Sequence, residues 1–243
     1  MTQHRIREWY QHFDGDVYVA FSGGKDSTVL AHLVHDLYPD VPLIFDNTGL
    51  EYPEIQSFAR KMGAEFIRPK MQFSEVISKY GYPIISKEVC ITVEESRALS
   101  GTHNAWIRRN ELTGTRIDPH TGKLSPFQHK KWLPLARDTL FKVSEKCCGV
   151  MKKSPMKSYE KKNGRKAIIG TLTEESRLRE FDWLKHGCNA YDAKKQISKP
   201  MSFWREQDVL NYIKKEGLEI ASVYGEIVVM ALNMNLCLVS IAN

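Results

Sequence analysis

The sequence predicts an α/β fold: a parallel, twisted sheet with helices on both faces, together with a basic insertion. Over roughly the first 70 residues, short apolar runs alternate with amphipathic stretches in the order strand, helix, strand, helix, strand. A further apolar run follows a long basic stretch and indicates that a fourth strand rejoins the sheet. Such a unit implies right-handed crossovers and a ligand site at the carboxyl ends of the strands.

The individual elements follow from local patterns. The predicted strands are short and apolar, and they lie at residues 17–21, 41–47, 64–69 and 166–172. The predicted helices have apolar residues spaced by three or four, and they lie at residues 28–37, 53–63 and 202–217. Gly63 and Gly217 are predicted to end the second and third helices. Residues 228–243 carry no charge and are consistent with a terminal buried strand.

Composition indicates a folded protein without a membrane span. The chain has 243 residues and 42% hydrophobic residues, enough for one sizeable core, and residues 1–243 are predicted to be a single domain with its basic insertion at about 100–165. The amino terminus has no apolar leader segment, and no run reaches the roughly 18 apolar residues that a membrane helix needs. A cytoplasmic protein is expected. Its five cysteines favour reduced thiols or a metal site over disulfides.

Positive charge is concentrated in one part of the chain. Residues 103–166 contain 16 Lys and Arg against 5 Asp and Glu, whereas the whole chain has a net charge of only +6. This basic block fits a surface that binds RNA or DNA, and Trp106, Trp132 and Tyr159 within it favour that interpretation because bases stack on aromatic rings. A solvated, lysine-rich insertion is the alternative, and the sequence leaves both open.

A glycine-rich turn joins the first predicted strand to the first helix. It reads Phe21-Ser-Gly-Gly-Lys-Asp-Ser27. Adjacent glycines allow backbone N–H groups to approach an anion, and Lys25 adds positive charge at the start of a helix. The turn does not match the P-loop pattern G-x-x-x-x-G-K-[ST], because Asp26 follows the lysine, and it does not match G-x-G-x-x-G. It therefore predicts a phosphate site of another kind.

The turn matches an SGGxDS signature, and with it the chain resembles the PP-loop adenine-nucleotide α-hydrolase superfamily, in particular the phosphoadenosine phosphosulfate (PAPS) reductase family. Three further segments are similar to family motifs: IFDNTG with the EYPE that follows, GTLTEESRLR and KPMSFWREQDVLNYI, at residues 44–54, 170–179 and 199–213. All four occur in family order and cover roughly residues 17–225. The resemblance implies a Rossmann-like fold and a bound adenine nucleotide, either ATP or a sulfonucleotide (PAPS or APS), with Mg²⁺ as an associated ion.

Residue by residue, the resemblance implies a nucleotide site. Its nucleotide-binding residues would be Ser22, Gly23, Gly24, Lys25, Asp26, Ser27, Asp46, Thr48, Gly49, Gly170, Thr171, Glu175, Ser176 and Arg177. Lys25, Asp26 and Arg177 would be the catalytic residues. For Arg177 a second interpretation is a surface ion pair with Glu174 or Glu175.

Three cysteines resemble the iron–sulfur members of the family. Cys147 and Cys148 are adjacent and Cys188 follows, but the chain contains no C-x-x-C. A [4Fe–4S] cluster would need a fourth ligand, for which the candidates are Cys90, Cys237 and His186. Buried reduced thiols and a zinc site are the alternatives.

The resemblance leaves the reaction open. Reductases of the family carry a reactive cysteine in a Glu-Cys-Gly-x-His-like tail, and this chain has no such tail. The expected chemistry is therefore either sulfonucleotide chemistry or ATP-dependent adenylyl or sulfur transfer, with a nucleic acid as a candidate acceptor. The alternative is a non-catalytic nucleotide-binding or nucleic-acid-binding protein that retains the fold.

Overall fold

A computed structural model describes residues 1–97, 101–137 and 140–225. The α-helices in this part of the chain are α1 (Thr2–His12), α2 (Lys25–His35), α3 (Pro53–Lys61), α4 (Phe73–Tyr80), α5 (Lys87–Ser96), α6 (His103–Thr113), α7 (Leu133–Arg137), α8 (Ser154–Asn163), α9 (Arg177–His186) and α10 (Glu206–Glu216). The strands are β1 (Val17–Phe21), β2 (Leu43–Asp46), β3 (Glu65–Ile67), β4 (Lys166–Ile168), β5 (Asn189–Ala190) and β6 (Ile197–Ser198).

The strands form one sheet in the order β3-β2-β1-β4-β6-β5. The β1–β2, β2–β3, β1–β4 and β4–β6 pairs are parallel, and Val19 of β1 aligns with Leu43 on one side and Ile168 on the other. The predicted α/β fold with a parallel sheet is confirmed. The structure adds an antiparallel edge pair, β5–β6. Sequence patterns missed both of these strands because two residues are too few to show a period.

Side chains alternate between two apolar layers along the central strands. Val17, Val19 and Phe21 of β1 pack into a core with residues of α1, α2, α3 and α10. Tyr18, between them, packs into a second cluster on the other face with Tyr159 of α8. Because successive strand residues point to opposite faces, both faces of β1 are covered by helices. A strand that is buried on both faces has apolar residues at successive positions, which explains the continuous apolar runs in the sequence.

The chain divides into two compact units. One consists of Met1–Arg68 and the chain from Met156 onward, and it contains the sheet; the other is Pro69–Pro155. The second unit begins well before the insertion predicted at about 100–165, because α4 and α5 belong to it. The basic helix α8 packs on the sheet instead of continuing the insertion. The prediction of a single domain over residues 1–243 stays a prediction.

The second unit has a small core of its own. Val89, Cys90 and Val93 of α5 pack with Val143, and Trp132 lies partly buried against them. Backbone bridges join Tyr82 to Val143 and Ile117 to Leu124. These contacts give the unit short pieces of regular structure where the sequence showed only a broken pattern.

A buried carboxylate organises the second unit. Glu111 of α6 is fully buried, and its carboxylate accepts hydrogen bonds from Arg108 at 3.0 and 3.1 Å, from Thr92 at 3.2 Å and from Arg116. Arg108 also donates to Glu95 at 2.9 Å. A carboxylate can be buried only when its charge and its lone pairs are satisfied, and this one holds α5, α6 and the following segment together.

Two expectations concern the ends of the chain and the membrane. The predicted terminal strand at residues 228–243 lies outside the described residues. Within the part that the structure describes, no helix has the length and apolar character that crossing a bilayer requires. The cytoplasmic location stays a prediction.

We predict that Glu111→Ala lowers the free energy of unfolding by about 2–4 kcal/mol, because Arg108 and Arg116 lose their shared acceptor in a mostly dry environment. Urea unfolding followed by circular dichroism measures this loss. Glu95→Ala is the matched control, since Glu95 bonds the same Arg108 but is 36% exposed. Its cost should stay at about 1 kcal/mol or less. Equal costs for the two variants would contradict the assigned role of Glu111.

Candidate functional site

The turn between β1 and α2 leaves the start of a helix open to an anion. β1 ends at Phe21 and α2 begins at Lys25, with Gly24 as its N-cap residue in extended backbone geometry. No side chain of the described residues caps this helix. The first N–H groups of a helix have no intrahelical partner and carry partial positive charge. Without a capping side chain, they are available to a bound anion.

Hydroxyl groups fix the shape of this turn from within. Ser27 Oγ donates to the Gly24 carbonyl at 2.9 Å and accepts from Ser22 Oγ at 3.0 Å. Thr28 Oγ1 also donates to the Gly24 carbonyl, at 3.0 Å. The two predicted serines therefore close the turn on itself and hold its glycines in one conformation.

Gly23 is required by the geometry of the turn. Its φ angle is +74°, a conformation that side chains disfavour. A methyl group at this position would lie 2.8 Å from Ile55 Cγ2 on α3. The turn thus packs directly against the helix that follows β2.

Gly170 brings the end of β4 against the same turn. A methyl group at Gly170 would lie 2.9 Å from the Asp26 carbonyl oxygen and 3.3 Å from Ser27 N. β1 and β4 are parallel neighbours in the sheet but are not consecutive in the chain, since β2 and β3 lie on the other side of β1. In an open parallel sheet, this reversal of strand order creates a crevice at the carboxyl ends of the strands. Two predicted segments, 22–27 and 170–171, meet at that crevice.

Charged groups surround the predicted Lys25. Its ammonium group lies 2.8 Å from Glu206 Oε1. Burial would lower the pKa of Lys25, but the hydrogen bond with Glu206 and the attraction of Asp26 outweigh burial and raise this pKa above its ordinary value. Burial raises the pKa of Asp26, against the opposing effect of Lys25. Asp26 Oδ1 is buried with no hydrogen-bond partner among the described residues, so it can still accept one.

The segment after Gly170 is anchored to the start of α10. Thr173 N and Oγ1 donate to the Ser202 carbonyl at 3.0 and 2.7 Å. The Glu174 carboxylate accepts from the Glu206 backbone N–H. Thr171 itself is half-buried beside these anchored residues.

The structure places Arg177 on the surface. Ser176 caps α9 by accepting from Arg179 N at 3.3 Å, and Arg177 is exposed at the first position of that helix. Arg179, not Arg177, pairs with Glu175. The ion pairs of the described residues include none between Arg177 and Glu174 or Glu175, so the second interpretation of Arg177 is not found in this structure.

The loop after β2 supplies the remaining predicted residues. Asp46 is the last residue of β2, which neighbours β1. Glu51 accepts from Thr48 N at 3.0 Å and from Thr48 Oγ1 at 2.6 Å, and Gly49 has a φ angle of +81°. The loop is thus a tight turn at the same edge of the sheet as residues 22–27.

Two residues near the turn escaped sequence reasoning. Glu206 contacts Lys25, and a methyl group at Gly24 would lie 3.3 Å from the Tyr224 hydroxyl oxygen. Both lie roughly 200 residues beyond the turn, so only the fold brings them close. Glu206 lies within the segment 199–213 that is similar to a family motif, but that similarity assigns no role to this residue.

The cysteines are distributed between the two units. Cys147 and Cys148 belong to the second unit and Cys188 to the first, while Cys237 lies outside the described residues. Cys90 is buried, and its thiol donates to the Ile84 carbonyl at 2.8 Å, as expected for a core thiol. The described residues contain no group of three or more His, Cys, Asp or Glu that could hold a metal ion. The cluster prediction for Cys147, Cys148 and Cys188 stays a prediction, and no reaction step is derived from it.

A comparison with protein-family models identifies the family of this chain. The model of the phosphoadenosine phosphosulfate reductase domain matches residues 16–133 and 120–228, most of the chain. The chain belongs to this family. Both matched ranges include residues of the first unit, and the first of them contains the whole of the turn 22–27.

A solved structure shares the fold of this chain, and a second is similar to a lesser degree. The structure of PAPS reductase from Candida auris, a phosphate complex, is similar with a TM-score of 0.52 and 14% identity, and the match covers 93% of this chain and 87% of that one. The U34-tRNA thiolase NcsA from Methanococcus maripaludis, solved with its [4Fe-4S] cluster, has a TM-score of 0.44 and 16% identity, with 90% and 64% covered. At such identities the first likeness shows the fold alone.

Two curated relatives come from Methanocaldococcus jannaschii, and both are uncharacterised proteins. One is 37% identical over 84 residues, which are 32% of this chain and 18% of the relative. The other is 27% identical over 119 residues, which are 46% of this chain and 29% of the relative. The chain therefore matches less than a third of the length of either relative.

We predict that Gly170→Ala destabilises the protein by about 1–3 kcal/mol, because the new methyl group meets the backbone of Asp26 and Ser27 and neither can rotate away. Thermal unfolding measures the change. Gly149→Ala is the control, since a methyl group there would meet nothing within 4 Å. If both variants unfold at the temperature of the unmodified protein, the close packing of β4 against the turn is refuted.

Proposed function

We propose that this protein binds an adenine nucleotide, ATP or a sulfonucleotide such as PAPS or APS, at the β1–α2 turn and is an enzyme of adenylyl or sulfur transfer or of sulfonucleotide chemistry. One observation carries the proposal: residues 22–27 and Gly170 meet at the point where the strand order reverses. Anionic ligands bind at this position in open α/β sheets. Membership of the family supports the same ligand class.

The residues of the turn have distinct parts in this proposal. Uncapped N–H groups at the start of α2 and the Lys25 ammonium would bind phosphate oxygens. They would also stabilise negative charge that develops during transfer, since they are already oriented before the reaction. Arg177 would add a planar, two-pronged donor from the start of α9. Asp46, Thr48 and Gly49 would face the nucleoside from the neighbouring loop.

Asp26 fits an oxygen ligand for Mg²⁺. Its buried Oδ1 atom lacks a hydrogen-bond partner among the described residues, and carboxylate oxygens suit this ion. A bound Mg²⁺ would neutralise charge on the nucleotide's phosphates. The Asp26 carboxylate also attracts the Lys25 ammonium group and thereby helps to keep it charged.

We predict that Lys25→Ala weakens ATP binding by roughly 1.5–3 kcal/mol, because the variant has no ammonium group to form a charge-assisted hydrogen bond with phosphate. Isothermal titration calorimetry measures the affinity. Lys61→Ala is the control, because Lys61 is an exposed lysine of the same unit whose partner is Glu219. Equal affinities for the Lys25 variant and the unmodified protein would place the nucleotide elsewhere.

Turnover separates the enzyme from a non-catalytic binding protein that retains the fold. Incubation with ATP and candidate acceptors should release pyrophosphate if adenylyl transfer occurs, and PAPS or APS should be consumed if the substrate is a sulfonucleotide. Intact Lys25 and Asp26 favour the enzyme. Binding without turnover of any nucleotide would favour the alternative.

The second unit is proposed to bind a nucleic-acid acceptor. It contains 15 Lys and Arg against 8 Asp and Glu. Trp106 is 60% exposed and stacks with His103, with their ring centroids 6.1 Å apart. Exposed aromatic rings beside excess positive charge are the features that bind unpaired bases and their phosphates.

We predict that the protein binds RNA or DNA with an affinity that falls as salt rises, because each neutralised phosphate releases counterions. The double variant Lys130→Gln, Lys131→Gln should reduce the slope of log affinity against log salt by about 0.7–0.9 for each phosphate that is no longer neutralised. Lys194→Gln, Lys195→Gln is the matched control in the first unit. The absence of binding at low salt would identify the basic block as a solvated surface.

A further inference from the structure

The proposed function assigns the Lys25 ammonium group to the ligand, but in the structure this group already forms an ion pair with a carboxylate. Lys25 Nζ lies 2.8 Å from Glu206 Oε1, and the two side chains are 26% and 53% exposed. Lys25 begins α2 and Glu206 begins α10, so this pair joins the starts of two helices. Its partial exposure leaves it within reach of a dissolved anion.

Other contacts fix the start of α10 without help from Lys25. The Glu206 backbone N–H donates to Glu174, and Arg205 N donates to Asp208 Oδ2 at 2.8 Å. Val209 and Ile213 bury the helix in the core. Separation of the Glu206 side chain from Lys25 therefore requires a change of rotamer and leaves α10 in place.

We propose that Glu206 is an internal competitor for the anionic ligand: its carboxylate holds Lys25 until a phosphate or sulfate group displaces it. The inference rests on the proposed function, because it assumes that Lys25 binds the anion. A carboxylate and a phosphate oxygen are both acceptors, and they repel each other when they approach the same ammonium group. The ligand must therefore weaken the Glu206 contact by the same factor by which Glu206 weakens the ligand.

The contact also prepares Lys25 for its ligand. Burial alone would lower the pKa of this lysine, and the hydrogen bond with Glu206 is the largest of the effects that raise it. Glu206 thus keeps the ammonium group charged and oriented while the site is free. For the same reason, Glu206 competes with the ligand for Lys25.

Glu206→Gln tests the inference. The amide keeps the shape of the side chain but removes the charge, so the variant should bind ATP about two- to fivefold more tightly than the unmodified protein, the range set by one partly exposed ion pair. Glu219→Gln is the matched control: it removes the same charge from an ion pair with Lys61, and Glu219 is 60% exposed. Its affinity for ATP should change by less than about 1.5-fold, since the charge of an exposed side chain is screened by salt.

Further variants distinguish the possible outcomes. Glu206→Ala should tighten ATP binding in the same direction, and circular dichroism checks that both Glu206 variants are folded. In a Lys25→Ala background, Glu206→Gln should have no effect on ATP affinity, because the competed group is gone. Unchanged or weaker binding by both folded Glu206 variants overturns the inference. Failure of the proposed function looks different: Lys25→Ala alone would then bind ATP as tightly as the unmodified protein.

Discussion

The arrangement of the site depends on the close approach of β4 to the first turn of α2. No side chain fits between Gly170 and the Asp26 carbonyl, since a methyl group would lie 2.9 Å from that oxygen. The approach is possible because β1 and β4 pair directly while the chain between them runs through β2, β3 and the second unit. Parallel pairing aligns their carboxyl ends, so the two following loops must meet. The order of strands thus determines which distant residues surround Lys25.

Electrostatic balance around the turn follows from this proximity. Lys25 forms an ion pair with Glu206, and the charge of Asp26 also attracts its ammonium group. Burial would lower the pKa of Lys25, but the hydrogen bond with Glu206 and the attraction of Asp26 keep this pKa above its ordinary value. Burial raises the pKa of Asp26 and the Glu206 charge adds to that rise, whereas Lys25 and Arg179 oppose it. In our proposal, an anionic ligand gains from the uncapped helix N–H groups of the turn but has to displace the Glu206 carboxylate from Lys25. The affinity of that ligand would then depend on the difference in free energy between its contact with Lys25 and the contact of Glu206 with Lys25.

Local patterns predicted the parts of the fold whose residues are buried on both faces. The strands at Val17–Phe21 and Leu43–Asp46 were predicted because apolar residues there are continuous, and Gly63 and Gly217 follow the ends of their helices with positive φ angles. The turn at residues 22–27 could be predicted because its glycines and its lysine indicate an anion-binding turn from the local sequence alone. Glu206 could not be predicted, because its contact with Lys25 spans 181 positions and exists only through the sheet. The two-residue strands β5 and β6 have no sequence signal, because only their pairing in the folded sheet defines them.

In the second unit, some charged side chains stabilise the fold and others are exposed to solvent. Glu111 is fully buried and uses Arg108 and Arg116, and Lys146 pairs with Glu94 at 3.1 Å. Buried carboxylates select arginine because its planar group donates several hydrogen bonds in fixed directions. The lysines of this unit are exposed, and they carry most of its excess positive charge. Because the core of this unit depends on Glu111 and its arginines, substitution of surface lysines would test the proposed polyanion binding without loosening that core.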